Sequence, residues 1–139
     1  MTVTNAAQPS PAQIKAAQAR DDGTPICMVN LLKFRDRAVY ADGRETLLSG
    51  AEAYALYGQA MTRMVMQAGG KLLFAGQVRG LLIGVADAGW DEVAIMMYRS
   101  FKAMSAITAS AAYAEIHVHR DAGLAGQLSI ETVRPAALA

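Results

Sequence analysis

Apolar and polar positions along this chain follow two periods, and the switches between them mark the elements. "ICMVNLLKF" (26–34) is dense in branched and apolar residues between Pro25 and "RDRA", which predicts a strand. Alternation places Ile26, Met28, Asn30, Leu32 and Phe34 on one face and Cys27, Val29, Leu31 and Lys33 on the other, so each face carries one polar residue. "RDRAVYADGRETLL" reads as a loop with Asp42-Gly43 as its turn signal. From Ser49 the period becomes helical. "SGAE" is a capping box between Ser49 and Glu52, Tyr54, Tyr57, Met61, Met64, Val65 and Ala68 form an apolar stripe, and Gly69-Gly70 ends the helix.

"KLLFAGQVRGLLIGVA" predicts a long strand broken or bent at Gly76 and Gly80, "DAGW" a turn, and "DEVAIMMYR" the next strand. Ser100 is placed to cap a helix over "FKAMSAITAS", and Ser110 a further helical stretch through "AYAEIHVHRDAGL". "GQLSIETVR" alternates as a last strand. Near the N-terminus, "PAQIKAAQAR" predicts a short helix after "MTVTNAAQPSPA", which is polar and reads as a loose tail.

The order of the main elements is strand, helix, strand, strand, helix, strand. That order predicts an α+β, ferredoxin-like fold with an antiparallel sheet and helices on one face. Residues 23–134 then form the domain, 1–22 an N-terminal extension and 135–139 a tail. The sheet face opposite the helices also carries large apolar residues and needs cover. In so short a chain, a second copy is the simplest cover, so a homodimer is expected.

Composition narrows the function classes. The chain has 139 residues, 53% of them hydrophobic and 18% charged, which is the range of a folded domain. A net charge of +1 and the absence of any basic run disfavour nucleic acid and anionic membrane as partners. No apolar run has signal-peptide or membrane-spanning character. The single Cys27 excludes an intrachain disulfide and fits a cytoplasmic setting. Eight methionines are many for this length; such side chains fill irregular core gaps or line adaptable pockets. Dinucleotide and phosphate-loop glycine motifs and a nucleophile elbow are missing.

The two histidines, His117 and His119, lie one residue apart. On a strand they would point the same way and could share a metal. The flanks of "AYAEIHVHRDAGL" favour a helix, which separates them by about 200°; no metal or other cofactor is expected. His117 reads as a structural neighbour of Tyr113. His119, beside Arg120, reads equally as a neutral base next to a fixed cation or as part of a helix end. Asn30 reads as a polar group at a pocket floor or as a partner of the neighbouring strand, and Tyr57 as a core anchor with a phenol available to a ligand.

Several ordered segments resemble one family. "MVNLLKFRD", "SGAEAYALYGQAM", "AGGKLLFAGQVRGLLIG", "WDEVAIMMYRS" and "AYAEIHVHRDAGL" are together similar to the DUF1330 proteins, whose function is unknown. The resemblance spans roughly residues 25–133. It implies a place in the dimeric α/β-barrel superfamily, in which two ferredoxin-like sheets close face to face. The family-like positions are Asn30, Phe34, Tyr54, Tyr57, Gly69, Gly70, Gly84, Trp90, Tyr98, Ser100, Tyr113, His119 and Arg120. Arg99 stands where the family usually has proline.

Together these readings point to a homodimer that binds a small, largely apolar metabolite between sheet and helices. His119, Tyr57 and Asn30 are the candidate catalytic residues. Arg120, Tyr54, Trp90, Tyr98 and Met61 are the candidate ligand-binding ones. The resemblance leaves a cofactor-independent isomerase, lyase or monooxygenase open, with a non-catalytic binder as the alternative and haem binding behind both.

Overall fold

A computed structural model describes residues 2–134; the proposed tail at 135–139 lies outside the described residues. Helix α1 (Pro11–Arg20) precedes strand β1 (Ile26–Phe34) and the long helix α2 (Gly50–Gln67). Strands β2 (Lys71–Gln77) and β3 (Glu92–Tyr98) follow, then α3 (Phe101–Thr108), α4 (Ala111–Gly123) and β4 (Leu124–Thr132). The four strands form one antiparallel sheet in the order β2-β3-β1-β4. This is the ferredoxin-like β-α-β-β-α-β arrangement that the patterning predicts, with α3 and α4 together in the place of its second helix and one extra helix, α1, before it.

The helix ends match their sequence signals. Ser49 and Glu52 close a complete capping box on α2, and Ser100 and Ser110 each accept a backbone N–H at the start of α3 and α4. Gly69, at φ 83°, takes the left-handed turn after α2. The predicted helical stripe of α2 is buried at Tyr57, Met61 and Val65. It packs with Ile26 and Met28 of β1, Tyr98 of β3, Phe101 and Ile107 of α3, and Ala17 of α1. A second cluster of Ala38, Tyr40, Ala53 and Ala122 fastens the 35–49 segment to α2 and α4.

Two segments differ from the expectation. The long second strand stops at Gln77, and 78–90 carry no strand. β3 offers partners only to 71–77, and Gly84 sits at φ 91°, a conformation incompatible with an extended ladder. Leu82, Ile83 and Val85 are left almost fully exposed. The polar start of the chain is not a loose tail throughout. Ala6 pairs with Gln127 at the free edge of β4, and Asn5 accepts a bond from Trp90 Nε1 at 3.1 Å.

Candidate functional site

Between the sheet and its helices lies a cavity of about 1160 Å³. Its floor is the helix-facing side of the strands, with Met28 and Asn30 of β1, Glu92, Ala94 and Met96 of β3, and Gln127, Ser129 and Glu131 of β4. Its roof comes from Tyr54, Tyr57 and Met61 of α2, Met104 of α3, and Tyr113 and Arg120 of α4. Ile14, Ala17 and Arg20 of α1 form one side, where Arg20 makes a two-pronged ion pair with Glu131 at 3.0 Å per prong. The roof is thus rich in tyrosine and methionine, over a floor that mixes Met28, Ala94 and Met96 with the polar Asn30, Glu92, Gln127, Ser129 and Glu131.

The aromatic part is a continuous row. Ring centroids lie 5.2 Å apart for Phe34–Tyr54, 5.3 Å for Tyr54–Tyr57 and 6.1 Å for Tyr57–Tyr113. Burial raises the Tyr54 hydroxyl to about 12, with Arg120 pulling it down and Glu92 pushing it up. Burial also pushes Tyr57 and Tyr98 above the ordinary phenol range. These three groups are uncharged phenols near neutrality, able to donate one hydrogen bond each but not to act as bases.

A polar chain crosses one end of the cavity. Arg120 Nη2 donates to Gln127 Oε1 at 2.8 Å, and Gln127 Nε2 donates to Asn30 Oδ1 at 2.8 Å. Ser129 Oγ donates to the same oxygen at 2.9 Å, while Asn30 Nδ2 donates to the carbonyls of Ala94 at 3.2 Å and Met28 at 3.3 Å. Asn30 therefore lies on the pocket floor and bonds the neighbouring strand at once. Its amide is used on both sides, so it holds Gln127, which in turn holds Arg120.

Of the candidate residues, Asn30, Tyr54, Tyr57, Met61, Tyr98 and Arg120 come together in this cavity. His119 and Trp90 do not. The His119 Nδ1 shares a 2.7 Å hydrogen bond with the Tyr40 hydroxyl, edge-on to that ring, on the side of α4 that meets the 35–49 segment. Trp90 is tied to Asn5. Both histidines are on α4, as the helical reading requires, and His117 stacks on Tyr113 at 5.9 Å and donates to Asp121 at 3.1 Å. His117 borders a smaller cavity of about 350 Å³ that shares Tyr113 and Arg120 with the large one. No histidine among the described residues lines the large cavity, so the axial histidine on which a haem reading would rest does not face it.

Glu92 and Gln127 were not legible as site residues. A signal exists for each. Glu92 alternates in phase with Ala94, Met96 and Tyr98, and Gln127 with Ser129 and Glu131. Once the helix-facing phase is known, both belong to the floor. Glu92 accepts no hydrogen bond among the described residues, and burial raises its carboxyl above the ordinary range.

Comparison with known proteins agrees with the fold and leaves the chemistry open. A crystal structure of a protein of unknown function from Rhodopseudomonas palustris is 34% identical, with a TM-score of 0.82 over 95% of this chain and 100% of that one. A methylated form of that protein is 36% identical, with a TM-score of 0.84 over 96% of this chain and 99% of that one. No curated protein matches the chain. Residues 44–132, well over half of the sequence, match the domain of unknown function DUF1330, and the chain belongs to that family.

Proposed function

We propose that this protein binds a small, largely apolar molecule bearing an acidic group in the cavity between sheet and helices, and that it does so as a homodimer. The observation that carries the reading is Arg120. Its side chain is only 12% exposed, in a cavity roof shared with Tyr54, Tyr57, Met61, Met104 and Tyr113. A guanidinium has five N–H donors. Here one bonds Gln127, and another reaches Asp121 only at the 3.5 Å limit. A carboxylate or enolate entering the cavity supplies the acceptors that the remaining donors lack.

Binding is favoured over proton transfer because the three residues expected to move a proton are occupied or held neutral. The Asn30 amide is saturated, Tyr57 is a protonated phenol, and His119 is turned to Tyr40. The homodimer rests on the opposite sheet face, where Val29, Leu31, Val93, Ile95 and Met97 are half-buried with no helix over them.

Calorimetric titration with 3-phenylpropanoate and its uncharged amide tests the reading. The acid is expected to bind more tightly than the amide. Arg120→Ala is expected to weaken the acid roughly 10- to 100-fold, the size of one charged hydrogen-bonded contact. Equal binding of acid and amide, or an unaffected Arg120→Ala variant, would sink it.

A further inference from the structure

We infer that Glu92 is a second recognition point facing Arg120 across the cavity, so that the ligand is an acid carrying a hydrogen-bond donor, such as a hydroxyl or protonated amine, at its far end. The inference rests on the reading of Arg120 as the acid's anchor.

Strand register fixes the spacing. Glu92 pairs with Leu32 on β1, and Leu32 pairs with Gln127 on β4, which holds Arg120. Glu92 and Gln127 thus stand two strand spacings apart, about 10 Å at ~4.8 Å per strand. Between them in register stands the fully buried Leu32. Tyr54 of α2, which lines the same cavity, lies within electrostatic reach of both Arg120 and Glu92. A para-substituted phenylpropanoate is about as long as this backbone separation, which makes it the probe of choice.

The neighbour of Glu92 shows what an ordinary carboxylate at this strand end does. Asp91 is satisfied at the rim, accepting from Lys33 Nζ at 3.3 Å and from the Phe34 amide at 2.8 Å. Glu92 is one residue on, faces the other side of the strand, and lines the cavity without a partner. None of the wall's cations answers it. Arg120 is turned to Gln127, Arg20 is paired with Glu131, and Arg63 makes no ion pair among the described residues. A carboxylate on the cavity wall without a donor of its own, in a space with room for one, is the counterpart of the donors left over on Arg120.

The test compares 3-phenylpropanoate with 3-(4-hydroxyphenyl)propanoate by calorimetry on the wild-type protein, Glu92→Leu and Glu92→Gln, each checked for folding by circular dichroism. In the wild type the hydroxyl is expected to improve affinity roughly tenfold, the size of one hydrogen bond to a charged group. Glu92→Leu is expected to erase that gain while leaving 3-phenylpropanoate within about twofold of wild type. Glu92→Gln, which keeps a carbonyl acceptor, is expected to retain part of it. If the acids bind through Arg120 but the hydroxyl gains nothing in the wild type, or gains as much in Glu92→Leu as in the wild type, this inference is overturned and the Arg120 reading stands. If neither acid binds, both fall together.

Discussion

Three phenols in the cavity wall give the site a signature that can be titrated. Burial raises Tyr54 to about 12 and moves Tyr57 and Tyr98 upward as well, against about 10 in an unfolded chain. A folded-state pKa above the unfolded one means that the folded protein holds the proton more tightly. The associated stability is complete below about pH 10 and is lost as pH rises through 10 toward 12 and beyond. Phenolate absorbance at 295 nm is therefore expected to lag an ordinary tyrosine titration and to appear together with the loss of circular dichroism. Tyr54→Phe is expected to flatten the decline in urea-measured stability between about pH 10 and 12; an unchanged decline would show that Tyr54 is not held in this way. At this scale the sequence was partly readable. Asn30 and Tyr57 stood out as polar atoms on apolar faces, and both reach the cavity. His119 and Trp90 were misplaced because their partners, Tyr40 and Asn5, come from aperiodic segments distant in sequence. Glu92 escapes the pattern because a charged residue at a strand end ordinarily points to solvent.

Among the elements, α2 and α4 depend on a close approach that no periodicity announces. Gly50, at the start of α2, and Gly123, at the end of α4, lie backbone against backbone. A methyl group on Gly123 would meet the Gly50 carbonyl and, at 2.9 Å, the Tyr54 amide. Gly123 also accepts the Arg35 amide at 2.8 Å, which ties the end of β1 to the same crossing. Main-chain atoms cannot swing aside as a side chain can. Gly123→Ala is therefore expected to destabilise the fold by roughly 1–3 kcal/mol or more in urea unfolding. Gly58→Ala, in the same α2 with nothing within 4 Å of the added methyl, is expected to gain up to about 1 kcal/mol. Equal effects would mean that the crossing tolerates a methyl group. The Ser49–Glu52 capping box and the helical stripe of α2 are legible because their signals are local. The end of β2 was not, because alternation reports which side chains want burial, not whether this chain supplies the neighbour. "GLLIG" has the pattern of a strand and no strand beside it.

For the molecule as a whole, the phase of β4 is the most telling feature. Its polar residues Gln127, Ser129 and Glu131 face the helices and the cavity, while Leu128 and Ile130 face away. On β1, Val29 and Leu31 also face away, as do Val93, Ile95 and Met97 on β3. One row runs across all four strands, Phe74, Ile95, Val29 and Ile130, and no helix covers it. Its outer members are 53% exposed at Phe74 and 49% exposed at Ile130. A continuous apolar face of this kind marks an interface, and a second identical sheet meets it with a closed, two-fold contact. Light scattering after size exclusion is therefore expected to give twice the 14.7 kDa chain mass at micromolar concentration. Ile130→Asp separates the interface from the protomer's own core. At 49% exposure in a single chain, the new carboxylate stays hydrated and the protomer keeps its circular dichroism. Between two sheets the same carboxylate would be stripped of water without a partner, which costs several kcal/mol and should leave a monomer. A wild-type monomer, or an Ile130→Asp dimer, would mean that something other than a second copy covers this face.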